Sequence, residues 1–149
     1  MKMLIGLLMM AVVSLFTATA NAAPTTLTVQ ELSETPWTQA LTAVDTANGN
    51  RVLNPNGDVF LILSNPTGSG GSATVTFTAQ TTSVEFPGYG PVTKSNLAVS
   101  LSDGDTKLVG PFSKRSWNDG SGYLVFATTG AVSASVTVKA LRLKQSLLR

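Results

Sequence analysis

The chain has 149 residues, no cysteine, no histidine, 12% charged residues and a formal net charge of +2. That composition excludes a disulfide framework, the usual zinc, copper and iron ligand sets, and nucleophile mechanisms that depend on Cys or His. Carboxylate chemistry is the one enzymatic route left open, and a single domain is the natural count for this length.

The charge is unevenly spread. Residues 23–138 hold five basic and eight acidic side chains, a net −3, whereas the last eleven residues carry Lys139, Arg142, Lys144 and Arg149. A mildly acidic body with a basic end steers association with an acidic neighbour; the plainer alternative is a solvated terminus.

At the N-terminus, Lys2 precedes an apolar run from Met3 to Phe16, followed by Thr17-Ala18-Thr19-Ala20-Asn21-Ala22-Ala23-Pro24. A basic start, an apolar stretch of about 7–15 residues and a small-x-small exit make up a secretory signal peptide. A membrane span needs ~20 apolar residues, so the run is short for one. Cleavage is expected after Ala22, with an uncleaved anchor or docking segment as the alternative. The organisation read from the sequence is thus an N-terminal apolar segment over 1–22, a β domain over 23–143 and a basic tail over 144–149.

Within the domain, Thr25 to Leu32 places Leu27, Val29 and Leu32 as apolar positions of an edge strand. Pro36 interrupts it, and Trp37 to Val44 fits either a strand or one helical turn. Asn48-Gly49-Asn50 and Asn54-Pro55-Asn56-Gly57 are turn clusters rich in residues that tolerate positive φ. Asp58 to Ser64 is continuously apolar from Val59 to Leu63, the pattern of a central strand covered on both faces. After the Gly-rich loop Asn65 to Gly71, the residues Ala73, Val75, Phe77 and Ala79 alternate with Thr74, Thr76, Thr78 and Gln80. This predicts a half-buried strand, paired with 58–64 as an antiparallel hairpin.

Pro87-Gly88-Tyr89-Gly90-Pro91 reads as a rigid loop that presents Tyr89. Leu97, Val99 and Leu101 alternate with Ala98, Ser100 and Ser102, and Asp103-Gly104-Asp105 closes a turn before Lys107 to Val109. Pro111 cannot donate to a ladder, so the chain should leave the sheet there. Tyr123 to Ala127 reads as a strand that is apolar on both faces. It is expected to form a hairpin with the run from Val132 to Leu143, whose Val132, Ala134, Val136, Val138 and Ala140 share one face. Leu141 and Leu143 have the opposite parity, which a bulge near Ala140 or a covered strand end would reconcile. Short strands separated by Gly, Pro and Asn turns predict an all-β fold, an antiparallel β-sandwich that is jelly-roll-like or Ig-like.

Several pieces are familiar in their order and spacing. They are Leu27-Thr28-Val29 with Leu32, Thr42-Ala43-Val44-Asp45, Asn54 to Asn65, Leu108-Val109-Gly110-Pro111-Phe112, Trp117-Asn118-Asp119-Gly120 with Gly122, and Val136 to Leu143. Over Leu27 to Leu143 the chain resembles a family of small tailed-phage virion proteins, taken to be capsid decoration or accessory head proteins. The resemblance implies a non-enzymatic subunit that binds and stabilises the phage head. Its partners would be the major capsid protein, other virion subunits or its own copies, and its location the capsid surface. Members of that family usually begin close to the strand at Leu27, without a signal peptide, so the segment 1–22 departs from the pattern, as does the tail 144–149. That segment supports a second expectation, an exported or periplasmic sandwich that binds a glycan or a cell-surface partner.

The candidate interface residues are Tyr89, Trp117, Lys114, Arg115, Arg142 and Lys144. Trp37 and Tyr123 are the remaining large polar-tipped aromatics, a type that favours interfaces, with core packing as the alternative, above all for Tyr123. Asp103, Asp105 and Asp119 sit in Gly turns. Calcium takes roughly 6–8 oxygens and neither loop has the spacing, so turn chemistry is expected rather than a metal site. Nothing pairs two carboxylates at the ~5–9 Å that glycoside hydrolysis needs. No catalytic residue, metal, cofactor or small-molecule substrate is expected, and no nucleic acid, because the body is net acidic and its cations form no interleaved patch.

Overall fold

The computed structural model describes residues 22–32, 40–81, 83–88 and 90–143. The apolar run from Met3 to Phe16, Trp37, Tyr89 and the tail from Lys144 lie outside the described residues. In chain order the strands are β1 (Thr25–Leu27), β2 (Val29–Leu32), β3 (Thr42–Ala43), β4 (Asn50–Leu53), β5 (Phe60–Ser64) and β6 (Ala73–Phe77). They continue with β7 (Ser83–Phe86), β8 (Gly90–Thr93), β9 (Leu97–Leu101), β10 (Thr106–Val109), β11 (Tyr123–Thr129) and β12 (Thr137–Leu143). A single helical turn, α1 (Lys114–Trp117), stands between β10 and β11. Among the described residues no helix is long and apolar enough to cross a membrane.

Two mixed sheets pack face to face, in the spatial orders β1-β4-β11-β6-β9 and β10-β5-β12-β2, with β3 also on β12. The alternating sequence of β6 explains one half of the core: Ala73, Val75 and Phe77 are buried while Thr74 and Thr76 are half-exposed. Leu61 and Leu63 of β5 and Val138 and Ala140 of β12 do the same from the second sheet. These side chains join Val52, Leu101, Leu124 and Phe126 in one cluster. At its centre the Phe77 ring lies 4.6 Å from that of Phe112 and 5.3 Å from that of Phe126. Tilted ring pairs of this kind contribute about 0.5–1.5 kcal/mol each beyond the area they bury.

The middle of the chain pairs in nested fashion. β4 pairs β11, β5 pairs β10, β6 pairs β9 and β7 pairs β8, all antiparallel. Residues 50–129 thus form one long hairpin folded over on itself, whose first and third pairs lie in one sheet and whose second lies in the other.

This winding corrects several expectations from the sequence. Residues 58–64 and 73–79 do not form a hairpin, because β5 and β6 lie in opposite sheets. A two-residue turn would force neighbours to pair, whereas the connection from Asn65 to Ser72 is long enough to arch across a sandwich about 10 Å thick. The same holds for β11 and β12. Their connection contains a 3₁₀ turn at Ser133–Ser135, so Val132 and Ala134 precede the last strand rather than belong to it. The expected edge strand over Thr25 to Leu32 is two edge strands in different sheets, and each is parallel to its neighbour, β1 to β4 and β2 to β12. The sandwich is therefore mixed, not purely antiparallel. β5 is an interior strand as expected, yet its second face is half-exposed at Phe60 and Ile62. β11 likewise buries Leu124 and Phe126 on one face and leaves Tyr123 and Val125 half-exposed and Ala127 exposed on the other. No bulge interrupts β12: its register against β5 is unbroken from Thr137 to Leu141, and Ala140 and Leu141 are both buried at a covered strand end.

Candidate functional site

The loops at one end of the sandwich converge through a pair of buried amides. Asn54 follows β4 and Asn118 follows α1, and both side chains are buried. The Asn54 Nδ2 donates to the Phe112 carbonyl at 2.8 Å and to Asn118 Oδ1 at 2.9 Å. Its Oδ1 accepts the Val59 N–H at 3.2 Å, and Asn118 Nδ2 returns a bond to the Asn54 carbonyl at 2.6 Å. Both side chains find partners where an unpaired polar group would be costly. The network ties three loops together across 58 and 64 positions of sequence.

Around this anchor each loop is fixed by its own chemistry. Gly57 has φ +75°, and a Cβ there would stand 2.8 Å from the Lys114 backbone nitrogen, so the Asn-Pro-Asn-Gly turn can press against the start of α1 only with glycine. The carboxylate of Asp119 accepts the backbone N–H groups of Ser121 and Tyr123, both at 2.9 Å, and holds the Gly120-Ser121-Gly122 turn. The Ser116 carbonyl accepts the Gln80 N–H at 2.9 Å, and the Arg115 carbonyl accepts the Thr81 hydroxyl at 2.7 Å, which pins α1 to the segment after β6.

The result is an open groove of about 430 Å³. Leu53, 44% exposed, and Pro55 supply its apolar part, Asn118 to Gly122 one wall, and Lys114 and Arg115 the rim. Both cations are exposed, and among the described residues neither makes an ion pair.

Of the candidate interface residues, the fold brings Lys114 and Arg115 together here. Trp117 stands behind them, half-buried, edge-on to Phe112 at 5.7 Å, with Lys94 Nζ 4.4 Å from its ring centroid. The ring thus seals the core, and its outer face is occupied by a cation. Tyr123 is half-buried under the guanidinium of Arg51, 4.5 Å away. Arg142 is outside the groove lining and is held in an ion pair with Glu31, its neighbour across β12 and β2. Tyr89 and Lys144 lie outside the described residues. The sequence did not single out Leu53 and Asn118 of the groove lining, nor the buried Asn54 that supports it. The two asparagines belong to turn-forming strings, and nothing in such a string distinguishes a buried amide from an exposed one.

The acidic turns are accounted for by hydrogen bonding. Asp103 Oδ1 accepts the Ser69 hydroxyl and N–H, both at 2.8 Å, and these bonds hold its pKa below the ordinary carboxylate value. Asp105 accepts the Ser102 N–H and pairs with Lys107 at 3.3 Å, and it is lowered for those reasons in that order. Asp45 accepts the backbone N–H and side-chain amide of Asn48 and the Thr25 hydroxyl, which bring its pKa down to about 2. Among the described residues no three acidic side chains converge as a metal would require. A smaller cavity of about 210 Å³ opens where the chain crosses from β1 to β2, lined by four threonines, by Gln30 and Lys139, and by the apolar Leu27, Val138 and Ala140. Its one cation, Lys139, is half-buried, whereas both cations of the groove are exposed.

Compared with known proteins, the chain matches no protein-family model, no curated protein and no solved structure.

Proposed function

We propose that this protein is a non-enzymatic structural subunit of a virion, a decoration or accessory subunit that docks on a capsid and stabilises it by burying surface across neighbouring subunits. The observation that carries the reading is the convergence just described. Three of the segments through which the chain resembles phage virion proteins, Asn54 to Asn65, Leu108 to Phe112 and Trp117 to Gly120, meet in the Asn54–Asn118 network, and the first and third of them contribute Pro55 and Asn118 to Gly120 to the groove beside it. The nested pairing of β4 to β11 supports reading the sandwich as a jelly roll, an architecture used by capsid and lectin domains. Architecture alone does not choose a function, so the weight falls on the groove.

The partner in this reading is the major capsid protein, another virion subunit or a further copy of the chain, and the location is the capsid surface. Affinity comes from Leu53, Pro55 and the loop backbones, with the cations steering the encounter. Particles stripped of the protein test this: the purified chain should re-bind them and raise their melting temperature, and a Leu53→Asp variant should bind less. Failure of the parent chain to bind its own particles contradicts the reading.

A second reading is favoured by a separate observation, the segment Lys2 to Ala22 with its basic start, apolar run and Ala20-Asn21-Ala22 exit. In that reading the same sandwich is exported and presents its groove to a glycan or a cell-surface partner. A mature N-terminus at Ala23 in the extracellular or periplasmic fraction, with none of the protein on particles, is the result that selects it.

A further inference from the structure

We infer that the groove between the β4 end and α1 accepts an acidic, partly apolar polypeptide segment, with Lys114 and Arg115 as the charge-reading residues. This rests on the proposal that the groove is the docking end, and it adds the chemistry of what docks there.

Three features carry it. The floor is apolar but narrow: Leu53 is 44% exposed, Pro55 adjoins it, and both lie within the same groove as the cations. Two exposed cations stand at the rim on successive residues of one helical turn, with no acidic partner among the described residues. The groove's one carboxylate, Asp119, cannot offset both, because a single negative charge against Lys114 and Arg115 leaves the lining net positive. Residues 23–138 are net acidic even with these two cations counted, so the net charge of the groove lining is opposite in sign to that of the span as a whole. A cationic rim on an apolar floor selects a partner that brings carboxylates at the edge and an aliphatic side chain at the centre.

The same features disfavour a polynucleotide. Such a ligand needs a stripe of Lys and Arg with rings free to stack. Here two rim cations are available, and the nearest ring, Trp117, is edge-packed on Phe112 and covered by Lys94.

The test uses the full chain, isotope-labelled, titrated with a short synthetic Glu/Leu peptide, a Lys/Leu peptide of the same length and a short DNA duplex. The Glu/Leu peptide should shift the amide signals of Leu53 and of residues 114–122, with affinity falling steeply as salt rises from about 0.05 to about 0.5 M. The double variant Lys114→Glu/Arg115→Glu should bind it about tenfold more weakly. Unchanged signals for Val52, Phe77 and Leu124 establish that the variant is folded, and its expected gain of affinity for the Lys/Leu peptide is a readout that misfolding cannot produce. Shifts that fall elsewhere, equal binding of the two peptides by the parent, or tighter binding of the duplex each overturn the inference. Particle binding separates this from the proposal it rests on. If particles bind parent and double variant equally well, the groove chemistry is wrong and the virion reading stands. If the peptide binds as described and particles do not, the groove chemistry stands and the virion reading is wrong.

Discussion

Replacing Asn54 with alanine removes the side chain that organises the groove. Three hydrogen bonds go with it, those to the Phe112 carbonyl, to Asn118 Oδ1 and from the Val59 N–H, all in a buried setting. A net contribution of about 0.5–1.5 kcal/mol for each gives a loss of about 3 kcal/mol, with the stranded Val59 N–H and Phe112 carbonyl pushing the value upward. For a domain of this size that corresponds to a melting temperature lower by about 10 °C. Urea unfolding of Asn54→Ala should therefore show a lower midpoint with an unchanged slope. Asn56→Ala, in the same turn but exposed, should stay within about 0.5 kcal/mol of the parent. The double variant Asn54→Ala/Asn118→Ala should be less destabilised than the sum of the single changes, because the two side chains share a bond. An Asn54→Ala protein as stable as Asn56→Ala would refute the view that this amide pair holds the three loops together.

Gly130 has φ +112°, and a Cβ there would lie 2.7 Å from the Ser72 carbonyl oxygen; Gly130→Ala should cost about 2 kcal/mol or more by urea unfolding, more than an alanine at the open Gly120. Phe77→Ala empties the centre of the ring cluster and should cost about 3–5 kcal/mol, read as a fall in urea midpoint at least as large as that of Asn54→Ala. Asp45, whose folded pKa of about 2 lies below its ordinary value of 3.8, adds stability that is present above pH 4 and lost as pH falls through its folded pKa. The gap in urea midpoint between the parent and Asp45→Asn should therefore close between pH 5 and pH 2, and a gap that stays constant over that range would count against the Asn48 and Thr25 bonds as its cause.

Much of the local structure was readable in the sequence because it depends on parity and on turn residues. The alternation from Ala73 to Phe77 became β6, the apolar block Val59 to Leu63 became an interior strand, and Pro111 marked the exit from β10. What parity cannot carry is pairing. A strand shows which of its faces is buried, and β5 and β6 would show the same alternation whether they were neighbours in one sheet or faced each other across the core. The switch between sheets at Thr28 left no mark for the same reason, since Leu27 and Val29 both turn toward the core from different sheets. The groove was partly legible: Lys114, Arg115 and Trp117 were singled out, but Trp117 serves the core more than the surface. Asn54 and Asn118 were hidden because asparagine in a string of turn residues, Asn-Pro-Asn-Gly or Asn-Asp-Gly, is expected to be exposed, and only the three-dimensional meeting of two such strings makes them interior.

The proposal that the chain is part of a virion is tested most directly by its sedimentation with particles. A lysate of cells producing the protein and its particles is resolved on a density gradient, and each fraction is analysed by mass spectrometry for the domain and for its N-terminal peptide. The account predicts that the domain co-migrates with assembled particles. A slow-sedimenting form that begins at Ala23 and is absent from every particle fraction would contradict it and identify an exported binding protein instead.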